Sequence, residues 1–239
     1  MDQIVSVVIL FCDDDSSFLE RAVSSIKEHI KFSDYEIIAV DNREKDKTPI
    51  SIEGVKFISK GYNLNCFEGR RFGFENSRGQ YIWNFDVDDL MIGDLLKEDI
   101  KLGYDFLQMF YENRCASGVY HLEKKHLPRG YGWNVWSRLY SRNILEKVYS
   151  KIDKPVNVFS FEDKILFDFV NSMNPTYEYI EKYIYEYNVS NASNTPQNKK
   201  KYEELLKTGL EDYEYLYGLI GKPWLAKELK ERIERLIGE

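Results

Sequence analysis

Four consecutive residues, Asp86-Val87-Asp88-Asp89, bring three carboxylates together at one point of the chain. Apolar segments lie on both sides of them, Tyr81 to Phe85 before and Leu90 to Ile92 after, so the acids border a buried strand. Burial and neighbouring like charges both raise the pKa of a carboxyl group, so these acids need a cation or hydrogen-bond donors nearby. The spacing therefore indicates a metal site. The alternative is a helix start with Asp88 or Asp89 as its N-cap.

The segments before this cluster alternate between strand and helix patterns. Ile4 to Phe11 is a nearly unbroken apolar run rich in β-branched residues, which is typical of a strand covered on both faces in a parallel sheet. Apolar residues then recur with helical spacing from Phe18 to Ile30, and further strand patterns cover Tyr35 to Asp41 and Val55 to Ser59. A second helix pattern, Cys66 to Asn76, leads to the strand before the acids. This order predicts an α/β fold with a parallel sheet.

Aspartates stand at or just beyond the ends of three of the predicted strands. They are Asp13, Asp41 and Asp86. Open parallel sheets bind ligands beyond the carboxyl ends of their strands, where these side chains would meet. We therefore expect the three acids to face one ligand-binding crevice.

The composition narrows the class of protein. The 239 residues carry a formal charge of -7 and are 43% hydrophobic, so the chain can bury a sizeable core but lacks the basic excess of a nucleic-acid binder. Three widely spaced cysteines form neither a disulfide framework nor a zinc pattern, which suits a reducing cytoplasm. The apolar run from Ile4 to Cys12 is too short to span a bilayer. We expect a cytoplasmic protein, at most peripheral at the inner face of the membrane.

The pattern changes beyond Leu102, where aromatic segments become frequent. Helix patterns follow at Arg142 to Tyr149 and at Glu162 to Val170. The last stretch, Asn198 to Glu239, is helical by composition, carries many aromatic residues and is interrupted at Gly218 to Pro223. Packing on the core is the first interpretation of those aromatic residues, and docking on a partner or a membrane surface is the alternative.

Several motifs of the chain follow one another in an order known from one protein family. They are Val5 to Ile26, Glu36 to Asn42, the set Asn63, Arg70, Gly73 and Gly79, then Asp86 to Asp89, Trp136 to Leu145, Phe161 to Asp163 and Tyr185 to Ser193. In this order and at these intervals they resemble family 2 of the inverting nucleotide-sugar glycosyltransferases, which have the fold called GT-A. The resemblance spans about Ile4 to Thr195.

The resemblance implies an α/β GT-A fold, that is, a Rossmann-like nucleotide-binding sheet with an acceptor-binding half and C-terminal helices. It divides the chain into three parts. Residues 1–102 bind the nucleotide sugar, residues 103–197 bind the acceptor and supply the catalytic base, and residues 198–239 form a helical extension. The chain departs from the family at Asn42-Arg43-Glu44, where relatives usually have Asp-Gly-Ser. We therefore expect recognition of the nucleobase to differ there.

The resemblance also assigns roles to individual residues. Asp163 matches the catalytic base, and Asp88 matches the ligand of Mn²⁺ or Mg²⁺, cations that prefer oxygen ligands. The expected substrate-binding residues are Phe11, Asp13, Asp41, Arg70, Asp86, Trp136 and Glu162. Among these, Asp41 matches the contact to the nucleobase. By residue type, Trp136 could form the floor of the acceptor pocket or simply fill the core, and we favour the pocket floor. By residue type alone, Asp163 could equally be an acid favoured at a helix N-terminus, and Arg70 a solvated helix residue.

These expectations define one reaction. An inverting, metal-dependent enzyme would move a hexosyl group from a nucleotide-diphosphate sugar, with UDP as the favoured nucleotide, to a hydroxyl of a glycan or lipid-linked glycan. Bacterial surface polysaccharide or glycoprotein glycan synthesis is the expected setting. Two alternatives remain at this point, a catalytically inactive glycosyltransferase-like binding subunit and a sugar-phosphate nucleotidyltransferase. The acids Asp13 to Asp15 count against the latter because they would repel a triphosphate.

Overall fold

The computed structural model describes residues 4–12, 16–43, 49–115, 118–121, 134–158, 161–188, 200, 203–204 and 210–238. Asp13, one of the expected substrate-binding residues, lies outside the described residues. The expectations for the other site residues all fall within them.

The first half of the chain alternates strand and helix as its sequence predicts. Its elements are β1 (Val5–Phe11), α1 (Ser16–His29), β2 (Tyr35–Asp41), β3 (Val55–Ile58), α2 (Cys66–Glu75) and β4 (Tyr81–Asp86). The strands β1, β2, β3 and β4 pair in parallel, with β1 between β2 and β4. Asn65 begins α2, because its side chain accepts a hydrogen bond from the Glu68 amide. The predicted parallel sheet is confirmed.

The second half adds strands of both directions and four helices to the described part of the molecule. Its elements are β5 (Leu90–Met91), β6 (Phe106–Cys115), β7 (Gly118–His121), β8 (Arg138–Ser141), α3 (Arg142–Tyr149), α4 (Glu162–Asn171), β9 (Tyr177–Asn188), α5 (Glu211–Leu219) and α6 (Trp224–Gly238). Single 3-10 turns cover Lys97–Asp99 and Val135–Ser137.

All nine described strands belong to one sheet, in the order β3-β2-β1-β4-β8-β6-β9-β5, with β7 beside β6. The short strand β8 is antiparallel to both β4 and β6, so it joins the two halves. Strand β9 runs parallel to β6, and its far end pairs with β5 just after the acidic cluster. Because β5 directly follows the turn after β4, its pairing with β9 brings the end of β9 next to the end of β4.

The turn after β4 corrects one interpretation of the sequence. Residues 87–88 form a turn that leads into the two-residue strand β5, and no helix begins there. Neither Asp88 nor Asp89 is therefore an N-cap. The helix-cap alternative is wrong because β5 pairs with β9 and this pairing keeps the backbone extended.

Two core clusters cover the opposite faces of the sheet. Successive side chains of a strand point to opposite faces, and accordingly Val7 and Ile9 belong to one cluster whereas Val8 belongs to the other. The cluster around Val8 also contains buried residues of the two C-terminal helices. These are Tyr213, Leu216, Tyr217, Ala226, Leu229 and Ile233. Packing on the core, the first interpretation of this region, is therefore confirmed for these residues.

Among the helices of the described residues, none combines the length and the apolar character needed to cross a membrane.

Helix α2 approaches the sheet closely where it carries a glycine. A Cβ atom added at Gly73 would overlap the Val8 Cγ1 atom and would lie 3.1 Å from Val40 Cγ2. A larger residue at this point would push α2 away from the sheet. The position of α2 matters for function because it carries Arg70.

We predict that Gly73→Ala destabilises the protein. The added methyl overlaps side chains of two neighbouring strands, and overpacking of this kind lowers the free energy of unfolding by about 1 to 3 kcal/mol. Chemical denaturation would measure the change. Gly218→Ala, also in a helix, is the matched control. No described atom lies within 4 Å of a Cβ atom added there, so we expect equal or higher stability. Equal stability of both variants would contradict the prediction.

Candidate active site

The carboxyl ends of β1, β2 and β4 meet at one edge of the sheet. In the parallel register Phe11 pairs with Asp41, and Leu10 pairs with Asp86. The expected convergence of the strand ends is therefore confirmed for Asp41 and Asp86.

Arg70 is the residue that connects this edge to the second half of the chain. It lies in α2, and its side chain is only 9% exposed. The Nη2 atom lies 3.1 Å from Asp86 Oδ1, and the Nη1 atom lies 3.3 Å from Glu162 Oε1. Nη1 also donates a short hydrogen bond to Asp163 Oδ1. A single guanidinium thus binds the first acid of the Asp86-to-Asp89 turn and both acids at the start of α4.

The acid pair Glu162 and Asp163 forms the first turn of α4. Acids are favoured there by the helix dipole, and Asp163 is further fixed because its Oδ2 atom accepts a hydrogen bond of 3.2 Å from the Val135 amide. The preceding residue, Phe161, has a left-handed backbone with φ 60° and ψ 19°. Residues other than glycine rarely adopt this conformation, so the chain enters α4 through a strained residue.

The charges of this cluster do not balance. Three carboxylates surround one guanidinium, so the cluster has an excess of negative charge. Burial raises the pKa of Asp86 to about 6. The charge of Arg70 lowers this pKa, whereas the charges of Asp163 and Asp88 raise it further. Burial likewise raises the pKa of Glu162 to about 7, although Arg70 opposes the shift. The site therefore favours either protons or an added cation.

Asp89 has a structural role in the acidic turn. It is 1% exposed, and its carboxylate accepts hydrogen bonds from the Tyr185 hydroxyl at 2.5 Å and from the Asn188 amide at 2.7 Å. The Tyr185 oxygen also accepts a hydrogen bond of 3.2 Å from the Asp86 amide. Burial and the charge of Asp86 raise the pKa of Asp89 to about 8. Asp89 thus ties the end of β9 to the turn that presents Asp86 and Asp88.

Asp88 differs from its two neighbours. It is partly exposed, and within the described residues it accepts no hydrogen bond and forms no ion pair. No group of three or more His, Cys, Asp or Glu side chains among the described residues forms a ready-made metal site. Within the described residues, both carboxylate oxygens of Asp88 therefore stay open to a ligand.

Trp136 belongs to an aromatic stack behind the acids. It is 3% exposed and lies parallel to the rings of Tyr185 and Tyr187, at centroid distances of 4.6 Å and 4.8 Å. Its backbone oxygen accepts a hydrogen bond of 2.6 Å from the Trp83 indole. Trp136 is thus buried in the core and packs on both tyrosines, of which Tyr185 contacts Asp89 directly.

Tyr187 is a site residue to which the sequence analysis gave no role. Burial and the nearby charges of Asp86, Asp89 and Asp88 raise the pKa of its phenol to about 12, so it stays a hydrogen-bond donor at neutral pH. The sequence does contain a pattern that could have identified Tyr187. Tyrosines recur at every second position from Tyr183 to Tyr187, which places them on one face of a strand.

Asp41 and Phe11 share a partner at the other side of the edge. Both carboxylate oxygens of Asp41 accept hydrogen bonds of 2.8 Å from the Arg43 guanidinium, and these bonds hold the pKa of Asp41 below its usual value. The same guanidinium lies 5.3 Å above the Phe11 ring, which is 2% exposed. Arg43 therefore covers Phe11 and engages Asp41.

Asn42 fixes the loop that precedes α2. Its side-chain amide donates to the Leu64 carbonyl at 2.6 Å and accepts a hydrogen bond from the Leu64 amide. These bonds hold the loop against the end of β2. The loop is followed directly by α2, the helix that carries Arg70.

Comparison with known proteins identifies the family and the fold. Residues 6–161, more than half of the chain, match the family described as "Glycosyl transferase family 2". The chain therefore belongs to glycosyl transferase family 2. No curated protein matches its sequence.

Solved structures of S. aureus TarS have the same fold. TarS 1-349 in complex with UDP-GlcNAc gives a TM-score of 0.64 at 14% identity, covering 98% of this chain and 70% of that one. The complex of TarS 1-349 with UDP gives 0.62 at 15% identity with the same coverage. A further TarS structure gives a TM-score of 0.60 at 15% identity. The match covers 84% of this chain but only 38% of that TarS chain. The expected GT-A fold is confirmed.

We predict that Glu162→Gln reduces the pH dependence of stability. The folded protein raises the pKa of Glu162 from 4.5 to about 7, so folding favours its protonated form. Its contribution is therefore fully present below pH 4.5 and is lost as the pH rises through about 7. The variant should remove a slope of up to about 1.4 kcal/mol per pH unit in this window.

Urea denaturation at several pH values between about 4.5 and 7 would measure this slope. Glu146→Gln is the control, because Glu146 is exposed on α3. Identical pH profiles for wild type and Glu162→Gln would contradict the prediction.

Proposed function

We propose that the protein is an inverting, metal-dependent glycosyltransferase that uses a nucleotide-diphosphate sugar. It moves a hexosyl group to a hydroxyl of a glycan or lipid-linked glycan, as in bacterial surface polysaccharide or glycoprotein glycan synthesis. The observation that carries the proposal is the ion-pair cluster around Arg70, in which Asp86 and Asp163 share one guanidinium. A donor-binding acid and a candidate base are thereby held at one site.

Asp163 is the proposed catalytic base. The acceptor hydroxyl attacks the anomeric carbon from the face opposite the diphosphate, and it loses its proton to a carboxylate during this attack. Arg70 and the Val135 amide engage one oxygen each of Asp163, so the carboxylate has a fixed orientation. Its side chain is 24% exposed, which leaves it accessible to a hydroxyl group.

Asp88 is the proposed ligand of Mn²⁺ or Mg²⁺, with Asp86 beside it. These cations bind oxygen donors and commonly share their coordination shell with water and substrate phosphates, so one open carboxylate fits such a site. When bound, the cation would neutralise the negative charge that develops on the departing diphosphate. The excess of carboxylates over Arg70 supports this requirement, since an anionic donor would otherwise be repelled.

UDP is the proposed nucleotide of the donor. The family match and the likeness to TarS, which has been solved with UDP and with UDP-GlcNAc, support this choice. We place the nucleobase of the donor near Asp41 and Phe11, with Arg43 as part of the surface that recognises it. These three residues lie together at the ends of β1 and β2. We assign Trp136 and Glu162 to the acceptor side, where their proposed role is to position the groups that touch the acceptor.

We predict that Asp163→Asn abolishes turnover but not donor binding. Loss of a general base costs about 10²- to 10⁴-fold in rate, whereas the amide still fills the space of the carboxylate. Release of UDP from a panel of UDP-sugars, with water or added glycans as acceptor, would measure turnover. Calorimetry with UDP and MnCl₂ would measure binding.

Asp94→Asn is the control, because Asp94 pairs on the surface with His29 and Lys31. Wild-type turnover in Asp163→Asn would remove the proposed base. Binding of UDP by the wild type without any release of UDP, for every sugar and acceptor tried, would favour the inactive binding subunit instead.

We predict that Asp88→Ala removes the effect of the metal on donor binding. Wild-type protein should bind UDP in the presence of Mn²⁺ and lose this binding in EDTA, because the cation links the diphosphate to the carboxylate. The variant should bind UDP equally weakly in both conditions, as measured by calorimetry. Asp94→Ala is the matched control. An undiminished manganese effect in Asp88→Ala would refute the assignment, and absence of binding to every nucleoside diphosphate would refute the proposed function.

A further inference from the structure

The two C-terminal helices contact the segment that carries the acid pair of α4. The first contact is at Phe161, the left-handed residue directly before Glu162. The guanidinium of Arg232, from α6, lies 5.7 Å from the centroid of the Phe161 ring, within the range of a cation–π interaction. Phe161 also packs against the core cluster that contains Leu229 and Ile233 of the same helix. Helix α6 therefore holds a strained residue in place.

The second contact lies about two turns further along α4. The Tyr217 hydroxyl, from α5, donates a hydrogen bond of 3.1 Å to Asp168 Oδ2. Asp168 also pairs with Lys164, which follows the acid pair directly, and the ammonium of Lys164 lies 5.5 Å from the Tyr217 ring centroid. Tyr217 itself is fully buried, so this contact has a fixed position.

The third contact lies before the acid pair. Asp212, from α5, accepts a hydrogen bond of 2.8 Å from the Asn157 amide and pairs with Lys154 at 3.1 Å. The Tyr215 hydroxyl donates to Asp153 Oδ1 at 2.5 Å. The chain is therefore attached to α5 on both sides of the acid pair and to α6 at Phe161.

These contacts bear on the geometry of the site. A left-handed residue other than glycine persists only where its surroundings hold it, and Phe161 sets the direction in which α4 starts. Asp163 follows two residues later, and it must meet both Arg70 and the Val135 amide. A small rotation at Phe161 would break these contacts, and small displacements of a reacting group are costly for catalysis.

We propose that the C-terminal helices position the catalytic base, with Arg232 and Tyr217 as positioning residues. This inference rests on the proposed function, in which Asp163 is the base. Arg232 acts by holding the Phe161 ring and thereby the first turn of α4, and Tyr217 acts by holding Asp168. Neither residue needs to touch a substrate.

The test compares Arg232→Met, Arg232→Lys and Tyr217→Phe, with Arg235→Met as the matched control. Arg235 lies on the same helix, is exposed and donates to the Glu231 carbonyl within that helix. We expect Arg232→Met and Tyr217→Phe to lower kcat for UDP release at least about fivefold, with the KM for the UDP-sugar and the Kd for UDP unchanged. Arg232→Lys should restore most of the activity, because a cation stays over the ring, and Arg235→Met should behave as wild type.

Hydrogen exchange supplies a readout that does not depend on turnover. The Ile165 amide donates a 3.0 Å hydrogen bond to the Phe161 carbonyl, the first helical bond of α4. We expect this amide to exchange faster in Arg232→Met and at the wild-type rate in Arg235→Met. Wild-type exchange in Arg232→Met would overturn the inference, and so would faster exchange with an unchanged kcat. The Asp163→Asn variant separates the proposed function from the contact of α6 with Phe161. Full activity of this variant would refute Asp163 as the base, whereas the hydrogen-exchange result for Arg232→Met would still stand.

Discussion

The ion-pair cluster of Arg70 with Asp86, Glu162 and Asp163 is the interaction on which the rest of the site depends. It buries the Arg70 guanidinium among partly buried carboxylates of β4 and α4, and a buried charge is tolerated only if a partner of opposite sign lies next to it. The consecutive elements α2 and β4 must therefore meet α4, which lies far along the chain, at fixed positions. The cluster also keeps more carboxylates than cations, so it is completed only by protons or by a further cation.

The surrounding structure can be understood as a support for this cluster. The close approach of α2 to β1 at Gly73 brings Arg70 to the carboxyl edge of the sheet. On the opposite side, Asp89 and Tyr185 connect the acidic turn to β9, and Trp136 stacks on the same tyrosine. The turn is therefore held by a buried hydrogen bond and by aromatic packing rather than by a helix. The C-terminal helices complete the support from the side of α4.

Much of the fold follows from local sequence patterns. The β-branched run of β1, the helical spacing in α1 and the runs of β2 and β4 predict their elements within a few residues, because these segments are buried on faces that their periodicity reveals. The alternative of a helix that starts at Asp88 or Asp89 is wrong for a reason outside the local sequence. Pairing of β5 with β9 keeps that backbone extended, and the partner strand begins more than 80 residues later, so no local pattern contains this information.

The sequence by itself determined the family, the parallel half of the sheet and the candidate acids of the site, since motifs and periodicity are local properties. Only the tertiary structure decided which partners the described acids contact. It assigned Asp89 to Tyr185, left Asp88 open, and placed Arg70, which by residue type could have been a solvated helix residue, at the centre of three carboxylates. It also placed the C-terminal helices against the start of α4. The physical reason is that charge pairing and burial depend on which side chains meet in space, and those partners lie far apart along the chain.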